Sequence, residues 1–463
     1  MSKEDKKIFG PDLNPFETYE SINTGSVIKA RYTGPLQGEV QISGAKNMVT
    51  KLVAASLSCS ESTVLIENIP FIGDLDITLQ LCKRLGVKYK LSPSGQLELM
   101  VGGFSNPNVL TDPYHGNRVA ILFAGPVLSK LGEANISKPE GCNIGDRKIN
   151  FHLDGLTAFG VDIVENGDSY SLRLQGTELK PASYKLPFPS VGATENLIIT
   201  ASCAQGESVI ENCSIEPEII QLLSVLSDSG VGVKILEPRT IIIEGRKHKI
   251  TKPITMIPDR IEAASLAVAA ISTRGDVFLR GAQAETLTSF IKVVQIMGGG
   301  VEVFNDGIRF FWKKELEPVS VSTGVYPGLP TDMQQPLAIL MTQAEGVSSI
   351  HETIFEDRFK YAVELNRVAV RDVAVSVLGE CPTGDPCRFD GFGYNHHAKI
   401  NGLVEFGKGE LEITDLRAGF ALVNAAILSA EGIIVRNLKS LYRGYDDPVG
   451  KLKSLGANIE LTI

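Results

Sequence analysis

The chain has 463 residues, with 45 Lys and Arg against 54 Asp and Glu, a formal net charge of −9, 43% hydrophobic and 21% charged residues. This is an ordinary soluble globular composition, and the length is too great for one core, so two domains or more are expected. The negative balance excludes nucleic acid and anionic membrane as natural partners, and any site for an anionic substrate has to focus its cations in a cleft.

In chain order, MSKEDKKIFG lacks the apolar core of a signal peptide, and no later apolar run is long enough to span a bilayer. With seven irregularly spaced cysteines, the simplest expectation is a cytoplasmic protein with reduced thiols. Residues 1–30 are polar, with turn formers Pro11, Pro15 and Gly25, and are expected to form an extension outside the fold. From ISGAKNMVTKLVAASLS onward, β-rich runs such as TVLIEN, SVIEN, DVFLR and IIVRN alternate with amphipathic helical runs such as DLDITLQLCKRLG and PEIIQLLSVLSDSG. Strand–helix alternation of this kind predicts an α/β architecture.

The alternation is a repeat. Six tails, RLGVKYKL, AFGVDIV, DSGVGVKIL, IMGGGVEVF, NRVAVRDVAV and SLGANIEL, carry markers at Gly86, Gly160, Gly230, Gly298, Ala369 and Gly456, spaced 74, 70, 68, 71 and 87 residues apart. Each follows a turn at Ser62, Gly132, Gly206, Gly275, Gly346 or Gly432, and the turn-to-marker distances are 24, 28, 24, 23, 23 and 24. Six repeats divide naturally into two three-repeat domains. One is expected over 46–257, the other over 31–45 plus 258–463.

The longer second interval takes its surplus at KPEGCNIGDRK, where Cys142 sits among Lys138, Glu140, Asp146 and Arg147. A surface turn with an idle cysteine is the plain alternative. An insertion into a regular scaffold is, however, where functional residues tend to sit. Neighbouring cations would favour a reactive thiolate there.

Taken together, GEVQISGAKN, PEGCNIGDR, PSVGATEN, EPEII, PDRIE, PTDMQ, ETIFEDRF, TDLRA and YRGY, in this order, resemble the enolpyruvyl transferases. The resemblance implies a two-domain inside-out α/β barrel of six βαβαββ repeats that closes on its substrates. It implies transfer of the enolpyruvyl group of phosphoenolpyruvate to a sugar hydroxyl, with UDP-N-acetylglucosamine as the expected acceptor. It also implies small-molecule partners only, no cofactor or metal, and a monomer.

Residue by residue, Cys142 matches the family's loop cysteine, implied to protonate the methylene carbon and to be the target of the phosphonate epoxide fosfomycin. Lys46 matches the phosphate-binding lysine and Asn47 a substrate contact. Arg118, Arg147, Arg417 and Arg443 match arginines that hold phosphate and carboxylate, groups guanidinium binds bidentately. Asp332 matches the base for the sugar hydroxyl, although a helix cap by Thr331 or Asp332 is an open alternative. Asp415 either takes part in proton transfer or holds Arg417. Contacts to the uridine diphosphate are implied for Arg147, Lys148, Ile149, Asn150 and Phe151, for Ser190, Val191 and Gly192, and for Ile354 and Phe355. SVGATEN offers glycine-flanked backbone donors ahead of a helix, a geometry suited to a diphosphate.

Two departures stand out. Asn150 occupies a position where the family usually has aspartate, and Ala369 replaces the expected glycine ahead of LGECPTGDPCRFDGFGYNHHAKINGL. These leave room for a paralogue that uses another uridine nucleotide, or for an inactive nucleotide-sugar-binding homologue. Cys381, Cys387, His396 and His397 in that segment match no established zinc spacing, and adjacent histidines rarely share one ion, so no metal is expected.

Overall fold

The structure, a computed structural model, describes residues 16–110, 118–138, 145, 149–370 and 373–463. Cys142, Arg147 and Lys148 lie outside these. Two compact units meet the chain at Ser43/Gly44 and Ile257/Pro258. The first takes the described residues between Gly44 and Ile257, Gly145 excepted; the second takes Glu17–Ser43 and Pro258–Ile463.

Among the described residues are six four-stranded sheets with one pairing scheme, a parallel pair at one edge followed by two antiparallel pairings. In the first unit, for example, Ser183–Lys185 runs parallel to Gly206–Glu211, which pairs antiparallel with Thr240–Gly245, and that with Gly232–Leu236. Three sheets are built from contiguous chain. The other three borrow a strand from far away in sequence. Ile254–Thr255 completes the sheet of Ser62–Glu67, Gln37–Gln41 completes that of Asp276–Arg280, and Val27–Arg31 inserts between Ile433–Arg436 and Asn458–Thr462.

Over residues 16–30 this corrects the expectation of an N-terminal extension outside the fold; residues 1–15 lie outside the described residues. Val27–Arg31 buries Val27, Ile28 and Ala30, exposes Lys29 and Arg31, and is hydrogen-bonded on both edges. Phe16 is buried in the first unit's core against Phe71, their ring centroids 6.4 Å apart. The polar residues between these anchors hid five-residue elements too short to register as a pattern.

The repeat markers acquire a physical reason. Gly86, Gly160, Gly230, Gly298 and Gly456 all have positive φ, between 81° and 103°, where the chain leaves a helix for the edge strand. Only glycine takes that turn without strain. At Ala369 φ is −70°, so alanine is tolerated, and the edge strand begins later, at Val375.

Each unit is centred on three helices that pack on one another: Lys46–Ser58, Ala124–Leu131 and Val191–Cys203 in the first, and Arg260–Ser272, Gln334–Met341 and Leu416–Leu428 in the second. They are apolar on all sides because they are surrounded; every residue of RIEAASLAVAAIS is buried. Small residues let these helices approach closely. A Cβ on Gly125 would fall 2.7 Å from Thr200 Cα in the facing helix. The outer helices instead bury one stripe, as in Thr288–Met297, where Phe290, Val293, Val294 and Met297 follow helical spacing.

Candidate functional site

Lys46, Asn47, Ser190, Asp332 and Asp415 stand at the N-terminal ends of central helices. There the free N–H groups and aligned peptide dipoles favour negative charge.

In the second unit, Thr331–Met333 forms a single 3₁₀ turn leading into Gln334–Met341. Its Asp332 does not cap that turn. Instead Oδ1 accepts from Arg358 Nη2 at 2.7 Å and Oδ2 from Arg417 Nε at 3.1 Å. Both guanidinium side chains are 3% exposed, while the carboxylate between them is 27% exposed. Burial opposes the charge on Arg358, but Asp332, Asp415 and Glu352 outweigh it and raise its pKa above the usual arginine value. The same balance holds for Arg417, where Tyr445, Asp332 and Asp259 outweigh burial. The guanidinium of Arg417 also lies 5.3 Å from the centre of the Tyr445 ring. The group facing solvent is therefore a charged acceptor fixed by two cations.

Asp415 is the N-cap of Leu416–Leu428, its Oδ1 accepting from the backbone N–H of Arg417 at 2.9 Å and of Ala418 at 3.1 Å. This capping sets the start of the helix from which Arg417 projects. Asp259 caps Arg260–Ser272 in the same way. Arg443 is half-buried just after Lys439–Tyr442, and the adjoining Gly444 packs on Leu416 so closely that a Cβ would meet its side chain at 2.5 Å. The YRGY segment is thus fixed beside the Arg417 helix start.

Ile354 and Phe355 are held by Glu352, whose Oε1 accepts from both backbone N–H groups at 2.8 and 3.2 Å. Its Oε2 accepts from Thr331 at 2.7 Å and Gln334 at 3.2 Å. Thr331 Oγ1 in turn accepts from Arg358 Nη1 at 2.6 Å. One buried carboxylate therefore ties the Ile354–Phe355 turn to the Asp332 turn.

In the first unit, Lys46 and Asn47 open Lys46–Ser58, and Lys46 Nζ lies 3.0 Å from the buried Asp74. Ile149, Asn150 and Phe151 begin Asn150–Ala158, and Ser190 caps Val191–Cys203 by accepting from Ala193 N–H at 3.4 Å. These two helix starts adjoin, since a Cβ on Gly192 would sit 3.5 Å from the His152 ring. Arg118 is half-buried just before the 3₁₀ turn Ala120–Phe123.

Sequence reasoning missed Arg358, Glu352 and Asp74. The first two lay inside ETIFEDRF, but their importance comes from pairing with Thr331 and Asp332, more than 20 positions away. In the cysteine–histidine segment it had set out Cys381, Cys387, His396 and His397. His351, Cys381, Cys387 and His396 each offer one donor atom within 4.8 Å of the others. His397, which sequence proximity had suggested, does not join them; in its place is His351, from another strand.

A profile of the EPSP synthase (3-phosphoshikimate 1-carboxyvinyltransferase) family matches residues 30–452. The chain is 37% identical over 437 residues to the UDP-N-acetylglucosamine 1-carboxyvinyltransferase of Protochlamydia amoebophila, covering 92% of each chain. It is 39% identical over 432 residues to the enzyme of that name from Chlamydia pneumoniae, covering 92% of this chain and 93% of the relative. The crystal structure of the enolpyruvyl transferase NikO from Streptomyces tendae superposes with a TM-score of 0.80 at 23% identity, over 94% of this chain and 99% of that one. That likeness establishes the fold.

Proposed function

The chain belongs to the EPSP synthase (3-phosphoshikimate 1-carboxyvinyltransferase) family, and on that premise we propose that it transfers the enolpyruvyl group of phosphoenolpyruvate to the 3-hydroxyl of UDP-N-acetylglucosamine. Phosphate is released, and the product opens peptidoglycan precursor synthesis in the cytoplasm. The observation that carries this reading is near-full-length similarity, at 37% and 39% identity, to relatives named for that reaction.

The chemistry is addition followed by elimination. Asp332 takes the proton of the sugar hydroxyl as its oxygen adds to C2 of phosphoenolpyruvate, and the Cys142 thiol gives a proton to the methylene carbon. The resulting thiolate then takes a proton back from that carbon as the C2–oxygen bond to phosphate breaks and phosphate leaves. Arg358 and Arg417 hold the Asp332 carboxylate in place, while Asp415 fixes the helix start that aims Arg417. Lys46, with Arg118, Arg147 and Arg443, neutralises the phosphate and carboxylate of phosphoenolpyruvate. Asn47 hydrogen-bonds substrate.

For the nucleotide, the adjoining helix starts at Ile149–Phe151 and Ser190–Gly192 supply N–H donors to the diphosphate, with Arg147 and Lys148 beside them. Ile354 and Phe355, in the turn held by Glu352, contact the nucleotide. Among the described residues no helix is long and apolar enough to cross a membrane. The enzyme works as a monomer on small-molecule substrates.

Mass spectrometry of a reaction containing phosphoenolpyruvate and UDP-N-acetylglucosamine tests the reading. The expected product is the nucleotide sugar carrying one enolpyruvyl ether, with one phosphate released per product. Unchanged nucleotide sugar after prolonged incubation with active, folded protein would refute it.

A further inference from the structure

Between Val375–Leu378 and His397–Asn401 the chain makes a long excursion without a strand or helix of its own. Such loops in compact domains need something to order them. Here the polar side chains converge. Cys381 Sγ lies 3.6 Å from Cys387 Sγ and 3.2 Å from His396 Nε2. His351 reaches the same point from the end of Val347–His351, because that strand pairs with His397–Asn401 and sets His351 opposite His397. The His351 and His396 rings are 5.4 Å apart.

We propose that His351, Cys381, Cys387 and His396 bind a structural zinc ion. Two thiolates and two imidazoles are a common zinc donor set. With Zn–S near 2.3 Å and Zn–N near 2.0–2.1 Å, a tetrahedral site spaces its sulfurs by about 3.8 Å and sulfur from nitrogen by about 3.6 Å. The Cys381–Cys387 and Cys381–His396 separations fall within a few tenths of these, and the widest donor pair, within 4.8 Å, has to draw in by about 1 Å on binding.

Two further observations point to an ion. His351 is 1% exposed, and its Nε2 is buried without a hydrogen-bond partner. An orphaned ring nitrogen at that depth is costly unless something accepts its lone pair. The opposite nitrogens are oriented as metal-binding histidines require. His351 Nδ1 lies 3.0 Å from Asp385 Oδ2, itself held by Ser322 at 2.6 Å, and His396 Nδ1 lies 2.6 Å from the Tyr394 carbonyl. The Phe389 N–H donates to Cys387 Sγ at 3.3 Å, which supports negative charge on that sulfur. Binding the ion releases two thiol protons to solvent and closes the excursion onto the sheet.

The loop also reaches the proposed nucleotide site. Arg388, next to Cys387, donates to the Ile354 carbonyl. On the reading of Ile354 as a uridine-diphosphate contact, the ion braces that contact from behind.

Elemental analysis of the full-length protein, purified without chelator, is expected to give one zinc per chain. Zinc-edge X-ray absorption is expected to show two sulfur and two nitrogen neighbours, and cobalt(II) replacement a thiolate-to-metal charge-transfer band. Cys381→Ser and Cys387→Ser should lose the metal, while Cys59→Ser keeps it. Chelation of the wild-type protein should raise KM for the nucleotide sugar several-fold. Metal-free protein that gives no charge-transfer band with cobalt would overturn the proposal. So would zinc retained in the Cys381→Ser, Cys387→Ser double variant, or a Cys381–Cys387 disulfide recovered in a non-reducing digest. If the serine variants fail to fold, the wild-type absorption spectrum decides. A zinc-loaded protein that does not use the nucleotide sugar would leave the site standing and refute the function.

Discussion

Asp332 shares its carboxylate between two buried guanidinium groups, so removing its charge has two separable effects. Asp332→Asn should lower kcat by about 10²–10⁴-fold if the carboxylate takes the hydroxyl proton, with a smaller change in KM for the nucleotide sugar. It should also lower stability, by less than the ~3–5 kcal/mol of a fully buried broken pair, because this carboxylate is 27% exposed. Steady-state kinetics beside thermal melts distinguishes the two; unchanged kcat would remove Asp332 from the chemistry. Asp415 behaves differently because it caps a helix. Asparagine caps about as well, so Asp415→Asn should lose only its attraction for the buried Arg358, whereas Asp415→Ala should lose about 1 kcal/mol more in chemical denaturation. The cysteines give a second contrast. Burial pushes Cys59 and Cys203 to about 11 and Cys82 and Cys213 to about 12, leaving little thiolate at neutral pH. Fosfomycin should therefore alkylate Cys142 in peptide mapping and spare these four, and Cys142→Ala should lose most turnover. Residues carrying a local motif, such as Asp332 and Asp415, were legible in the sequence. Arg358 and His351 were not, because each acts on partners brought near by strand pairing and helix packing.

The central helices tie buried charge to pH. Glu262, on the wholly buried helix Arg260–Ser272, is pushed up to about 7 by burial, against the pull of Lys451 at 2.6 Å. It also accepts from the Ser43 N–H at 2.8 Å, fastening the helix to the segment where the chain changes units. The folded state then keeps this proton to higher pH than the unfolded chain, which releases it near 4.5. Its contribution is full below pH 4.5 and is lost as pH rises through about 7, a change on the order of 3 kcal/mol. Glu262→Gln should flatten the fall in stability between pH 5 and 8, as followed by denaturant midpoints. A variant with the parent's slope would show that Glu262 titrates normally. At this scale the repeat was legible because five of its markers need glycine at positive φ. The borrowed strands were not, since VIKAR and QGEVQ carry no local sign of partners more than 200 positions away.

Across the whole molecule, the chain enters the second unit, leaves it at Ser43 and returns at Pro258. The first unit closes its own sheets, because Ile254–Thr255 completes the sheet begun at Ser62–Glu67. Residues 44–257 should consequently fold without the rest and melt cooperatively, at a modest loss from the missing Phe16. The second unit should collapse if residues 27–41 are deleted, because two of its sheets then lack a strand. The central claim is the choice of acceptor, and one competition measures it. Phosphoenolpyruvate is supplied with equal UDP-N-acetylglucosamine and shikimate 3-phosphate, and both products are quantified with time. The predicted result is phosphate release matched by enolpyruvyl-UDP-N-acetylglucosamine, with no shikimate product; enolpyruvyl transfer to shikimate 3-phosphate, with the nucleotide sugar untouched, would contradict it.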